Sequence, residues 1–162
     1  VPDHDSFGHD VETAYLLIEA ATALGQADDA KTHRVARSLV DHGLQYGWDT
    51  RLGGFYDRGF AFAPAYGLEK VWWTQGEGLN ALLLMHVHHG RKDPRYYAAF
   101  LKQWEFIVNY QADATNGEWY ENVSHDGIAR KGQPKGTIWK AAYHNGRALM
   151  NVSRLLRKLA DE

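Results

Sequence analysis

Apolar residues recur at helical spacing through most of the chain, separated by intervals rich in glycine and turn residues. Five segments read as helices. The first runs from about Gly8 to Gly25, with Val11, Tyr15, Ile18 and Thr22 on one stripe and Asp5 or Ser6 placed to cap it. The second, from about Asp28 to Tyr46, is striped by Val35, Leu39, His42 and Tyr46. The third runs from about Glu69 to His89. The fourth follows Asp93-Pro94, a cap with proline at the first helical position, and reaches about Gln111. The fifth begins near Ala142 and ends in the basic "RLLRKLADE".

The connections alternate in character. Gly25 to Asp28 and Gly90 to Pro94 are tight turns. The longer "WDTRLGGFYDRGF" and "NGEWYENVSHDGIARKG" mix glycines with alternating aromatic and polar residues, a pattern that predicts short hairpins. His9, Trp73 and His144 follow one another at intervals of roughly 65–70 residues, the length of a helical hairpin plus its long loop. Helices one, three and five therefore enter in the same sense, and two and four return outside them. The expectation is an all-α fold: an arc of an α/α toroid, one domain over 1–162, with the N-terminal ends of three inner helices at a common mouth. An odd number of helices and a chain that opens on a site-like motif predict that a preceding part is missing.

Composition adds limits. A chain of 162 residues is long enough for one core, and a formal net charge of -2 marks it for neither nucleic acid nor an anionic membrane. No apolar run reaches the length of a bilayer span. The absence of cysteine excludes disulfides, thiol catalysis and Cys-type zinc sites. The first residue is Val1, so targeting is unreadable and a cytoplasmic location is the default expectation. Six tryptophans, nine tyrosines and nine histidines suit a flat, hydroxylated ligand as well as they suit ordinary helix packing.

The chemistry gathers where the inner helices begin. His9 and Glu12 are neighbours on the first turn of their helix, where a carboxylate can hold an imidazole in one tautomer. On the third helix Trp73, Glu77, Asn80 and Leu84 share a stripe, and Gly76 and Gly78 require a packing or ligand reason. His144 and Arg147 lie one turn apart at the start of the fifth. His86, His88 and His89 end a helix, where cationic side chains suit the dipole, and have no cysteine or carboxylate beside them; no metal site is expected there. The Asn-Val-Ser triplets at Asn122 and Asn151 fit a glycosylation pattern that is common by chance.

"SFGHDVETAYLL", "KVWWTQGEGLNALLLM", "GEW" and "WKAAYHNGRALM" together resemble the N-acylglucosamine 2-epimerase superfamily, most closely its cellobiose 2-epimerase-like branch. The resemblance covers essentially the whole chain and implies an (α/α)6 barrel, of which this chain would be the C-terminal half, with five main helices and short β-hairpins in the long loops. It implies removal of the proton at C2 of a ring-opened reducing sugar and its return through an enediolate, by two bases on opposite faces. On that basis His9 and His144 are the acid/base pair. Glu12 is the partner of His9 or a ligand for a sugar hydroxyl, Trp73 (with Trp72 as rival) the stacking platform, Trp139 a second wall, and Glu77 and Arg147 further substrate contacts. No cofactor or metal is implied. The partners implied are a mono- or disaccharide and either a second copy of the chain or a complementing N-terminal half. Two other readings remain open: a non-catalytic sugar-binding half-barrel, and a glycoside hydrolase built on Glu12, Glu77 or Glu118, which would need two carboxyl groups about 5–10 Å apart. Which sugar, and epimerase or aldose–ketose isomerase, the residues leave undecided.

Overall fold

A computed structural model describes residues 4–161. Among the described residues five helices carry the fold: α1 (Phe7–Ala23), α2 (Ala30–Tyr46), α3 (Trp72–His89), α4 (Arg95–Phe106) and α5 (Tyr143–Ala160). A π-helical turn, Ile107–Gln111, extends α4. Short strands fill the long connections: β1 (Asp5–Ser6), β2 (Arg58–Phe60), β3 (Ala63–Gly67), β4 (Lys70–Val71) and β5 (Asn122–Val123).

α3 is the hub. Thr74 to Met85 are buried without interruption, because α1, α4 and α5 pack around it and cover its polar residues with its apolar ones. α1, α3 and α5 run parallel, as three cross-contacts at successive levels require. His9 meets Trp73 in the first turns, Glu12 meets Arg147 one turn on, and Tyr15 meets Asn151 one turn further. The last two pairs also span from α1 to α5 across the face of α3. The inner face is therefore concave, and the expected arc of an α/α toroid is present. Among the described residues no helix is long and apolar enough to cross a membrane.

Several local expectations need correction. Ser6 holds the N-cap position of α1 without a side-chain cap bond. α2 is capped by Asp29, which accepts from the Thr32 amide at 2.8 Å. The buried face of α2 is Ala36, Val40 and Gly43, and Val35 is exposed. Small residues face the core because α1 and Phe55 approach closely there; the Phe55 ring would lie 3.2 Å from a Cβ at Gly43.

The expected hairpin also shifts. "WDTRLGGFYDRGF" forms one isolated bridge, Trp48 to Phe55, and regular pairing joins β2 to β3. Asp49 accepts from the amides of Arg51 and Leu52, which closes a tight loop and leaves no backbone for a longer ladder there. β1 pairs with β2, Asp5 opposite Gly59, to complete a three-stranded wall. In the second long loop, β5 pairs with β4, Lys70 opposite Val123, and also closes the expected short hairpin, with a bridge from Val123 to Ala129 and the Ser124 amide donating to the Ile128 carbonyl.

Buried polar side chains fasten these loops to α3. The Gln75 carboxamide accepts from the Phe55 amide at 3.0 Å and donates to the Phe55 carbonyl at 2.8 Å, as a neighbouring strand would. Lys70, fully buried, donates to Asp49 Oδ2 and to the Gly53 carbonyl. Phe55 itself wedges against Gly78, where a Cβ would meet its ring at 2.5 Å. That close approach supplies the packing reason for glycine inside α3.

Candidate active site

The first turns of α1, α3 and α5 bring the candidate residues together. Trp73 is half-buried, and its indole lies against two imidazoles: His9 at 4.9 Å between ring centroids and His144 at 5.5 Å. The two histidines are thus no farther apart than those distances combined. Gly8 makes the contact possible, since a Cβ there would sit 2.4 Å from the Trp73 ring. A cleft of about 470 Å³ opens at this point, lined by Trp73, His9, Asp5, Ser6, Asp57 and Arg58 among others.

His144 is held from below. Its Nδ1 lies 2.7 Å from Oε1 of Glu77, which is fully buried on α3. An Nδ1–H donated to that oxygen fixes the tautomer and leaves Nε2 for chemistry. Arg147 completes the cluster, its Nη2 donating to Glu77 Oε1 at 2.6 Å and to Glu12 Oε1 at 2.8 Å. The guanidinium is flanked by the rings of Tyr143 at 4.5 Å and Tyr15 at 5.5 Å. Two carboxylates, one imidazole and one fixed cation therefore form a single network. Glu12, Glu77 and His144 lie close enough to share a metal ion, but Arg147 already supplies a positive charge to both carboxylates.

Three expectations change. Glu12 turns to Arg147 and stands 3.8 Å from His144 Nδ1, so the carboxylate–imidazole pair is Glu77–His144 and not Glu12–His9. The fixed guanidinium outcompetes a helical neighbour for that carboxylate. Trp72 is buried, with the Lys140 ammonium 6.0 Å from its ring centroid and the His144 ring edge-on at 6.4 Å, while the half-buried Trp73 lies against both histidines. Trp139 is 79% exposed and forms no wall opposite Trp73 within this chain. Thr137 Oγ1 accepts from the amides of Trp139 and Lys140 in a turn that buries Lys140 against Glu118 and leaves its neighbour outside. Gly8, Tyr15 and Tyr143 carry parts of the site that their spacing does not mark. Tyr15 stood on the α1 stripe as a packing residue, and nothing in the spacing distinguishes a ring that packs on lipophilic neighbours from one that packs on a guanidinium. At the far end of α3, His86 packs on Tyr97 and His88 on His33, each with centroids 4.6 Å apart; burial pushes His88 down to about 4.

The toroidal arc gathers a cluster of imidazole, carboxylate and guanidinium at the mouth of its inner helices. Residues 5–148 match the family described as N-acylglucosamine 2-epimerase (GlcNAc 2-epimerase), and the chain belongs to that family. It is 29% identical over 148 residues to a cellobiose 2-epimerase of Bacteroides fragilis, covering 91% of this chain and 37% of that protein. It is 31% identical over 124 residues to a D-mannose isomerase of Marinomonas mediterranea, covering 75% and 30%. The solved structure of a cellobiose 2-epimerase from Spirochaeta thermophila superposes with a TM-score of 0.79 at 28% identity, covering 97% of this chain and 39% of that one. The chain spans less than two fifths of the length of each of these relatives.

Proposed function

We propose that this chain is the C-terminal half of an (α/α)6 toroid and carries the acid/base residues of a carbohydrate 2-epimerase or aldose–ketose isomerase. The observation that carries the reading is the pair of imidazoles on one indole, with the His144 ring oriented by a buried carboxylate. One histidine takes the C2 proton of the open-chain sugar while the C1 carbonyl electrons move onto oxygen, giving an enediolate. Return of a proton to the other face of C2 gives the epimer; delivery to C1, with the O2 proton passing to O1, gives the ketose. One proton leaves and one returns, so the step needs no electron acceptor. Trp73 is the platform for the sugar ring, and Glu12, engaged with Arg147 through Oε1, has Oε2 left for a sugar hydroxyl. Arg147 acts by holding Glu12 and Glu77 in place.

The carboxylates argue for this reading over glycoside hydrolysis. Glu12 and Glu77 bind the same Arg147 nitrogen, and Glu118 accepts from Lys140 and Asn145, so each of the three candidate glutamates is engaged by a cation of this chain. The site is completed by a second surface, from a second copy of the chain or a complementing half-toroid. In support, Met150 on α5 is 70% exposed, and Ile138 and Trp139 just before it are exposed too. Incubating the protein with cellobiose, mannose and N-acetylglucosamine separately tests the function. The expected product is a C2 epimer or a ketose with the glycosidic bond intact. Release of monosaccharide from cellobiose, or sugar binding with no conversion of any of the three, would contradict it.

A further inference from the structure

His42 lies on α2, outside the cleft, yet its ring joins the parts of the wall beside His9. Its Nε2–H donates to the carbonyl of Ala61, in the turn between β2 and β3. Its Nδ1 lies 2.7 Å from Asp10 Oδ2 and 3.7 Å from Asp5 Oδ2. Asp10 follows His9 directly on α1, and Asp5 is the β1 residue opposite Gly59 of β2. Asp5 also lines the cleft, with Arg58 of β2 and Asp57 just before it. One imidazole thus ties the three-stranded wall to the helix that carries His9. We propose that His42 is a positioning residue: as an imidazolium it pins the β1–β2–β3 wall to α1 at the His9 side of the cleft, and the wall loosens when the ring loses its proton.

While Asp10 is ionised, the bonding pattern requires the second proton. With Nε2 committed to donating to a carbonyl, a neutral ring would turn its Nδ1 lone pair toward Asp10, leaving lone pair and carboxylate face to face. Among the described residues Asp5 Oδ2 is buried with no hydrogen-bond partner, and the His42 ring at 3.7 Å is its nearest counter-charge there. The groups facing the ring are Asp5 from β1, Asp10 from α1, and Arg34 and Tyr46 from α2; the β2–β3 turn presents the Ala61 carbonyl and the Phe62 ring. Burial raises Asp10 to about 6, against the bond from His42. His42 is held above its ordinary value, because the Ala61 carbonyl and Asp10 outweigh the burial that disfavours its charge. Both groups therefore bind protons more tightly folded than unfolded. The pin is fully present below the ordinary histidine pKa and is lost as pH rises through the raised one.

The pin stands independently of the proposed reaction; only its catalytic consequence rests on that reading. Imidazole NMR of the chain should show His42 titrating above a free histidine. Amide exchange, corrected for its intrinsic base catalysis, should show protection of residues 58–67 falling over the same pH interval while α3 amides stay protected. His42→Gln removes the titration, so its hairpin protection should be low and flat with pH. Asp10→Asn, which keeps an acceptor and drops the charge, should move the step to lower pH. In a catalytically active assembly His42→Gln should lower kcat with little change in KM and remove the alkaline limb that tracks the pin. Hairpin protection independent of pH in the wild type, or the same pH step persisting in His42→Gln, would overturn the proposal whether or not the protein turns over sugar.

Discussion

Arg147 shows how one side chain can reorganise a site. It takes both Glu12 and Glu77, so Glu12 is drawn away from His9 while His144 keeps a buried carboxylate. Replacing it with methionine leaves Glu77 buried beside Glu12 with only His144 for compensation, and breaking a buried ion network from one side costs about 3–5 kcal/mol. Urea denaturation of Arg147→Met should show that loss, and adding Glu12→Gln and Glu77→Gln should recover much of it; an unchanged midpoint would show that the network carries no stability. Trp73 poses a different question, since periodicity alone cannot choose between adjacent residues 72 and 73. Gly8 makes the choice, because its missing Cβ is the space the Trp73 ring occupies. Trp73→Ala should weaken sugar binding by about 1–3 kcal/mol with a small change in melting temperature. Lost stability of about 3–5 kcal/mol with unchanged binding would instead mark the ring as core. The histidines, Trp73 and Arg147 were legible as motif residues; their pairing was not, because a contact between α1 and α5 depends on the curvature of the arc.

The helices followed from periodicity, and the long loops only in part. α1 buries Val11, Tyr15 and Ile18, the apolar stripe its sequence presents. α2 misled because alanine and glycine, weak apolar signals, form its buried face, while Val35 faces out. The loops hide their organisation in single polar residues such as Gln75, Lys70 and Lys140, whose partners lie far along the chain. Phe55 is the apolar counterpart: fully buried against Gly43 and Gly78, it should cost about 3–5 kcal/mol when replaced by alanine, read from thermal or urea unfolding. The second loop carries an acid-labile tie. Lys135, with Asn116, holds the Asp113 carboxyl well below the usual carboxylate range. A depressed carboxylate contributes stability above its unfolded pKa and loses it as pH falls through the folded one. Amide exchange in residues 113–120 should therefore keep its protection through the usual carboxylate range, about pH 4, and lose it only in stronger acid. Loss already at about pH 4 would contradict the Asp113 tie.

At the scale of the whole molecule, regular spacing made the arc readable: two intervals of similar length put three helices in one sense, and the parallel contacts of α1, α3 and α5 follow. What closes the arc was not readable, because a surface that meets a partner looks in sequence like any amphipathic helix. The exposed Met150, Ile138 and Trp139 lead to the expectation that the chain associates, with itself or with a complementing half, and light scattering across a wide concentration range checks it. A monodisperse monomer at every concentration would show that the open flank needs no cover. The central claim, however, concerns a proton at C2. The most direct measurement is proton NMR of a reducing sugar incubated with the protein in heavy water. The account predicts deuterium appearing at C2 at a rate abolished by His144→Asn and by His9→Asn. Turnover or binding of the sugar with the C2 proton fully retained would contradict it.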